Sequence, residues 1–388
     1  MSAVKDPTLV VLQLIGGNDA MNTVIPYSNP LYYDSRKNVR IPEEDVLKID
    51  ITYGFHPSLA AIKPFWDAGK MAIIEGIGYP KPNQSHFRSM DIWYTAEPEK
   101  MSTEGWLGQV VREMDPKAEN VLKAVNFGRG LPRALSLAGV PVCSLAQLDG
   151  YGLLTSLGSV DVRNSALEIF SCMYDEGIND SGTVKTIKPV NVDDPMNEVM
   201  RYMGNTGLDA QKGADIIVTA LDKYKSTVEY PNSTIAASLK GIAQTKFADF
   251  GTRVFYTSHG TFDTHANELP AHAQLWKEVS EGVAAFFADL REHDQSSDTI
   301  MLIWSEFGRR VKDNGAGTDH GAGGVAFVLG DPVNGGMYGE YPKLDDLEIG
   351  NLKYNNDFRS TYSTILEKWL EIEAKPIVHG DFEQFAFV

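Results

Sequence analysis

The sequence predicts an α/β fold in which a mostly parallel central sheet carries helices on both faces. One observation behind this prediction is a set of continuous apolar, β-rich runs that end in glycine or polar turns, as strands buried on both faces of a sheet do. These runs are Thr8–Ile15, Met71–Ile77, Val254–Thr257, Thr299–Trp304 and Gly324–Leu329. The second observation is that amphipathic, helix-forming stretches alternate with the runs, which indicates a parallel sheet. These stretches are Pro57–Ala68, Ala214–Tyr224, Gln274–His293 and Ser360–Glu371.

The whole chain, residues 1–388, is expected to form one α/β domain with a helical insertion or cap at approximately 148–231. That middle segment has few strand-like runs, several Gly and Asp turns, and amphipathic patches. A length of 388 residues with 43% hydrophobic residues is ample for a large core.

Composition and charge narrow the classes of function. The formal net charge of -17 argues against nucleic acid as a partner, because phosphate binding needs a cationic surface. An acidic chain is compatible with a site that gathers carboxylates around cations. No apolar run reaches membrane-spanning length, so we expect no transmembrane segment. The cysteines, Cys143 and Cys172, are too few for a cysteine-based metal cluster, and either a disulfide or two buried thiols fits them.

Chemistry-bearing residues follow the predicted strands, and in open α/β sheets ligands bind at the carboxyl ends of the strands. After the first run comes Gly16-Gly17-Asn18-Asp19, in which Asp19 is either a cation ligand or the cap of the next helix.

A proline-rich loop after the second run leads into Ser85-His86-Phe87-Arg88, at the start of a predicted helix. The free amides and the dipole of a helix N-terminus favour an anion there, so Ser85 is a candidate nucleophile and Arg88 a candidate anion clamp. The competing interpretation is that Ser85 is only a helix cap and His86 only a surface residue.

The loop after the third run, Val254–Thr257, contains Asp263 and His265, which could ligate one ion from a single turn. Two histidines and two carboxylates within eleven residues are hard to explain by packing alone.

The last two strand ends carry Glu306, and then Asp319 with His320 in a glycine-rich loop. A carboxylate at the end of an apolar strand needs a metal or an arginine partner, and Arg309 or Arg310 is the candidate for the latter. Asp319 could orient His320 as a hydrogen-bond acceptor. The other histidines are expected to be structural or on the surface. They are His56, His272, His293 and His379.

Taken together, five motifs resemble a bacterial family known as domain of unknown function 1501. In chain order they read GGNDAMNTVIPY, SHFRSMDIW, FDTHANE, SEFGRRVKDN and GTDHGAGG. The resemblance extends over nearly the whole chain. That family is regarded as a member of the alkaline phosphatase and sulfatase superfamily, so the resemblance implies an alkaline-phosphatase/sulfatase-like fold with a metal site at the strand ends.

Position by position, the resemblance implies a set of metal ligands and a nucleophile. The implied ligands are Asp19, Asp263, His265, Glu306 and His320. Ser85 takes the place of the nucleophile, and Arg88 or Arg309 would neutralise charge on the transferred group.

The chain departs from the superfamily pattern at identifiable positions. Asn267 stands where the second residue of the first Asp…His pair is usual, and Phe307 stands where a later histidine is usual. Neither sulfatase signature, Cys-x-Pro-x-Arg or Ser-x-Pro-x-Arg, occurs near Ser85, so a formylglycine is not expected. These departures favour a single-metal or altered site.

The expected function is metal-dependent hydrolysis of phosphate or sulfate esters, with Ser85 or a metal-bound water as nucleophile. The expected cofactor is a divalent metal, zinc before calcium, magnesium or manganese. The expected substrate is a small molecule or glycan with an anionic ester. The alternative, motivated by Phe307, is a non-catalytic sulfatase-like protein that binds an anionic glycan or a partner protein. A dinucleotide-dependent oxidoreductase is disfavoured, because GGND lacks the spaced glycines of that fingerprint.

Many members of the family carry a twin-arginine export signal, and this chain shows none. We therefore expect a periplasmic or exported protein if such a signal was removed, and a cytoplasmic protein otherwise.

Overall fold

A computed structural model gives the fold and describes residues 6–145, 216–217 and 224–388. Most of the predicted insertion at 148–231 and of the predicted helix Ala214–Tyr224 lies outside the described residues, as does Cys172. Cys143 is buried.

Most of the strands in the described residues belong to one large sheet. The strands are β1 (Thr8–Ile15), β2 (Val24–Ile25), β3 (Leu47–Lys48), β4 (Gly54–Phe55), β5 (Met71–Gly78), β6 (Ala124–Phe127), β7 (Cys143–Leu145), β8 (Val254–Gly260), β9 (Thr299–Ser305), β10 (Gly324–Leu329), β11 (Gly336–Tyr338), β12 (Leu347–Glu348), β13 (Asn351–Leu352) and β14 (Asn356–Asp357). The α-helices are α1 (Ala20–Thr23), α2 (Pro30–Ser35), α3 (Lys63–Asp67), α4 (His86–Thr95), α5 (Trp106–Met114), α6 (Thr234–Phe247), α7 (Glu268–Glu292), α8 (Phe358–Thr364) and α9 (Lys375–Val378). Single turns of 3₁₀-helix span Glu43–Asp45, Pro57–Leu59 and Arg133–Leu135, and a π-helical turn spans Ile365–Trp369.

The central sheet has the spatial order β11-β5-β10-β9-β1-β8-β6-β7, with β14 also paired to β5. Strand β1 pairs in parallel with β8 and β9, and the parallel arrangement continues through β6 to β7. Strand β10 runs antiparallel to both β9 and β5. The predicted fold class, a mostly parallel sheet with helices on both faces, is confirmed. All five predicted strands are present, whereas β6, β7, β11 and β14 are strands of the same sheet that the sequence does not predict.

Both faces of the sheet are buried, which explains the continuous apolar runs. In β1, Val10, Leu12 and Leu14 point into one hydrophobic cluster, while Leu9 and Val11 point into the other. Helices α3, α6 and α7 cover the first face, and α4, α5, α8 and α9 cover the second. None of the helices in the described ranges is long and apolar enough to cross a membrane.

The stretch Pro57–Ala68 is not the single helix that its amphipathic pattern predicts. It begins as the 3₁₀ turn Pro57–Leu59 and restarts as α3, with Pro64 in the first turn. Proline has no backbone N–H and is tolerated at a helix start but not in its interior, so Pro64 divides the stretch.

One edge of the sheet collects the loops that carry polar motifs. Strands β1, β8 and β9 are parallel, so their carboxyl ends meet at this edge. Because β10 is antiparallel to both of its neighbours, β5 also ends here and β10 begins here. The loops that contain the five motifs therefore converge at one place.

Candidate metal centre

Three histidines and one aspartate meet at this edge, and we call them the histidine cluster: His86, Asp263, His265 and His320. The Nε2 atom of His320 lies 3.0 Å from His86 Nε2 and 2.9 Å from His265 Nε2. The Asp263 carboxylate lies 3.2 Å from His320 Nε2, 3.1 Å from His265 Nε2 and 3.4 Å from His86 Nε2. The ligand atoms of His86, Asp263 and His320 lie close enough together to hold a divalent cation, and His265 adjoins the last two of them.

The other ring nitrogen of each clustered histidine has an acceptor. His320 Nδ1 donates to the carbonyl oxygen of Gln84 at 2.8 Å, which fixes the proton on Nδ1 because a carbonyl cannot donate. His86 Nδ1 lies 2.8 Å from the Glu306 carboxylate, and His265 Nδ1 lies 3.2 Å from Asp319 Oδ1. These acceptors favour the neutral tautomer in which each Nε2 lone pair points into the cluster.

Helix α4 presents His86 to the end of β9. Ser89 and Trp93 lie on the same face of α4 as His86, at spacings of three and seven residues. Both donate to the backbone carbonyl of Glu306, Ser89 Oγ at 2.6 Å and Trp93 Nε1 at 3.0 Å. The hydrogen bond that His86 donates to the Glu306 carboxylate outweighs the opposing effect of partial burial and raises the pKa of His86 above its usual value.

Arg309 holds the Asp263 carboxylate in place. Its guanidinium is almost fully buried and donates to Asp263 Oδ1 at 2.7 Å and to the backbone carbonyls of Gly17, Thr318 and Phe262. Burial works against ionisation of Asp263, but the hydrogen bond and charge of Arg309 hold the pKa of this carboxyl below its usual value. Arg309 therefore serves as an anchor for the loops.

Gly16 allows the GGND turn to approach the Asp263 loop. Its φ is +115°, and a Cβ placed here would lie 2.5 Å from the Asp263 amide nitrogen. Any other residue would push this loop away from the edge.

Phe307 closes one side of the cluster. Its ring centroid lies 4.9 Å from the rings of both His86 and His320, and the residue is only 4% exposed. A Cβ on Gly17 would lie 2.3 Å from the Phe307 ring, so the ring is held between the glycine turn and the imidazoles.

Asp19 is placed outside the histidine cluster, in a fully buried ion pair. Its carboxylate accepts from both terminal nitrogens of Arg36, including Arg36 Nη2 at 2.9 Å. Burial opposes ionisation, but the pairing with Arg36 outweighs it and holds the pKa of Asp19 well below its usual value. Glu268 lies 3.8 Å from Arg36, and burial together with the Asp19 charge raises the pKa of Glu268 to about 9.

Glu306 supports the cluster instead of entering it. The carboxylate is buried, and its Oε1 atom accepts from His86 Nδ1 and from the backbone N–H of Gly16 at 2.9 Å. Ser305 Oγ lies 3.2 Å from the other oxygen.

Ser85 is the N-cap of α4 and is exposed, and its hydroxyl makes no hydrogen bond with the cluster among the described residues. Arg88 is turned away, toward Asp91 at 2.9 Å and the carbonyls of Pro98 and Lys100 at 3.0 Å each. His56, His272, His293 and His379 are not part of the cluster.

His86 is the member of the cluster that the sequence interpretation did not select. One signal pointed to it: His86 opens the helix that follows a strand buried on both faces, as the other motif residues follow theirs. Asp319, considered as a partner of His320, accepts from His265.

Comparisons with known proteins agree with the motif resemblance. The family described as "Protein of unknown function (DUF1501)" matches residues 199–367. No curated protein matches the chain.

Solved structures of sulfatases and an alkaline phosphatase match at low similarity. The sulfatase PsFucS1 from Pseudoalteromonas sp. has 12% identity and a TM-score of 0.42, covering 98% of this chain and 71% of its own. Ps i-CgsB in complex with k-i-k-neocarrahexaose has 9% identity and a TM-score of 0.39, covering 98% and 75%. A mutant of the alkaline phosphatase PafA has 12% identity and a TM-score of 0.35, covering 80% and 64%. The resemblance of the chain to the DUF1501 family is confirmed over residues 199–367.

Proposed function

We propose that this protein is a metal-dependent hydrolase of phosphate or sulfate esters, with its metal held by His86, Asp263, His265 and His320. The observation that carries the proposal is the convergence of three Nε2 atoms and one carboxylate, in which His320 Nε2 and the Asp263 carboxylate each lie 2.9 to 3.4 Å from the other three groups. Tetrahedral zinc with ligand bonds of about 2.0–2.1 Å has ligand atoms about 3.3 Å apart, close to the separations of 3.0 to 3.4 Å among His86, Asp263 and His320.

The chemistry of the donors fits a cation. Nε2 atoms 2.9 and 3.0 Å apart lie at hydrogen-bonding distance, so either a shared proton or a bound cation separates their lone pairs. Imidazole suits zinc and other transition metals, whereas calcium and magnesium prefer oxygen ligands. We therefore favour zinc over calcium and magnesium, and regard manganese as less suited to three imidazoles.

When bound, a divalent cation supplies Lewis acidity, which polarises an ester oxygen and makes water easier to deprotonate. The residues of the chain hold the donors in place. Glu306, Asp319 and the carbonyl of Gln84 retain the Nδ1 protons, and Arg309 orients Asp263. Ser85 lies beside His86 in the chain and is exposed, so its hydroxyl is the candidate nucleophile and water is the alternative.

A non-catalytic role is the second candidate, and the arginines favour it. The guanidinium groups of Arg88 and Arg309 both donate hydrogen bonds to carbonyl and carboxylate groups of the protein. Neither is offered to an anionic ester, so the fold could retain a metal and bind a ligand without turning it over.

The direct test combines metal analysis with an ester panel. We expect purified protein to contain stoichiometric metal and to hydrolyse at least one of p-nitrophenyl phosphate, bis(p-nitrophenyl) phosphate and p-nitrophenyl sulfate. Chelation should abolish turnover and zinc should restore it, and Ser85→Ala distinguishes a serine nucleophile from water. Stoichiometric metal without turnover would favour the non-catalytic candidate. Protein that contains no metal and has no activity would refute both.

Asp319→Asn should weaken metal binding by about 10–100-fold, because an amide is a poorer acceptor for the His265 Nδ1–H and orients the imidazole less firmly. Competition with a chromogenic chelator measures the change. Asp345→Asn, which makes the same substitution at an exposed site, is the control and should leave the affinity unchanged. Equal affinity in the two variants would contradict the role of Asp319.

A further inference from the structure

A pocket of about 490 Å³ lies along α4, outside the histidine cluster. Phe87 and Tyr94 line the pocket. They come directly after His86 and Trp93, whose side chains face β9. The pocket therefore occupies the neighbouring face of the same helix, and Ser85 in its wall places it beside the cluster. The volume falls within the range of roughly 300–1,000 Å³ that small-molecule sites occupy.

Most of the pocket wall is apolar and adaptable. Phe87 is 85% exposed and Met101 is 68% exposed, which is unusual for such large apolar side chains. Met90 and Tyr94 complete this part of the lining. Thioethers adapt to irregular shapes and make favourable contacts with aromatic rings, so this wall suits a flat ring.

The charged part of the wall is net positive. Arg88 and Arg133 both contact one carboxylate, Asp91, so two positive charges face one negative charge. This positive patch stands out in a chain whose net charge is -17. The Arg88 guanidinium is already occupied by Asp91 and by backbone carbonyls.

Arg133 differs from Arg88 in having guanidinium N–H groups that no acceptor among the described residues occupies. Arginine has five N–H donors, and among the described residues the side chain of Arg133 donates to Asp91 alone. It is also 44% exposed, so a ligand in the pocket can reach it.

We propose that this pocket binds an aromatic acid, meaning a flat apolar ring that carries a sulfate, sulfonate or carboxylate. The ring packs against Phe87 and the methionine side chains, and the anion accepts hydrogen bonds from Arg133. The inference stands apart from the proposed hydrolase activity, because it needs neither a metal nor turnover.

The test is equilibrium binding measured by calorimetry with three probes. These are 2-naphthalenesulfonate, which has ring and charge, 2-naphthalenemethanol, which has only the ring, and inorganic sulfate, which has only the charge. We expect saturable 1:1 binding of 2-naphthalenesulfonate, with binding of the other two at least tenfold weaker. The affinity should be the same before and after chelator treatment, which separates this pocket from the histidine cluster.

Two variants and two matched controls locate the site. Arg133→Gln and Phe87→Ser should each weaken binding of 2-naphthalenesulfonate by about tenfold, because each removes one half of the recognition. Arg112→Gln removes an exposed arginine and Ile51→Ser an exposed apolar side chain, and both should bind as the unchanged protein does. Binding that is lost on chelation and unaffected by the two pocket variants would overturn the proposal, as would equal binding of inorganic sulfate.

Discussion

His320→Gln is expected to abolish stoichiometric metal binding, and with it any metal-dependent ester turnover, while leaving the fold intact. His320 Nε2 is the central donor, within 3.2 Å of His86, His265 and Asp263. Glutamine has a similar length but offers an amide oxygen in place of an imidazole nitrogen, which zinc binds less well. The half-buried position at the sheet edge should tolerate the change without a cavity.

Metal content per chain and turnover of the best ester measure this effect. His379→Asn is the control, because His379 is exposed and has a positive φ, which asparagine tolerates better than most residues. The control should retain metal and activity. Full metal content in His320→Gln, with circular dichroism showing a native fold, would contradict the ligand set that we propose.

Arg36→Leu is expected to destabilise the protein by about 3–5 kcal/mol, because it leaves the Asp19 carboxylate buried without its partner. Both side chains of this pair have no exposed surface, so water cannot compensate for the loss. The variant also removes the donors that satisfy the backbone carbonyls of Arg310 and Val311. Arg36 pairs directly with Asp19 and lies 3.8 Å from Glu268, whose pKa burial and the Asp19 charge raise, so Asp19 is the carboxylate that Arg36 chiefly balances.

Urea unfolding gives the free energy of unfolding for this comparison. The matched control, Arg40→Leu, replaces an exposed arginine and should change stability by no more than about 0.5 kcal/mol. The double variant Arg36→Leu/Asp19→Asn removes the uncompensated charge, so its free energy of unfolding should exceed that of Arg36→Leu. If the single variant does not fold, recovery of a folded double variant is the corresponding result. A single variant within about 1 kcal/mol of the unchanged protein would show that the pair is not buried as described.

The motif residues show how far sequence reasoning reached. The sequence predicts Asp263, His265 and His320 as ligands because they follow or precede buried strands, and the structure brings these three together. The sequence does not single out His86, because a histidine at a helix start is commonly a surface residue. What distinguishes it is the Glu306 carboxylate at 2.8 Å, 220 residues away in the chain.

Asp19 and Glu306 illustrate the opposite case. Both carboxylates follow buried strands, and local sequence describes them equally well as ligands. The structure places Asp19 against Arg36 and Glu306 against the Nδ1 side of His86. Whether a carboxylate is a ligand, an ion-pair partner or a support depends on which group the fold sets opposite it.

The sequence by itself determined the fold class, the positions of the five main strands and the loops that carry chemistry, because apolar runs and turn residues are local signals. Tertiary structure alone decided which side chains meet. The parallel register of β8 and β9 with β1, and the reversed direction of β10, bring His320 to the edge where His86 and Asp263 lie. Such pairings arise from contacts between distant parts of the chain, and the position of a motif in the sequence does not encode them.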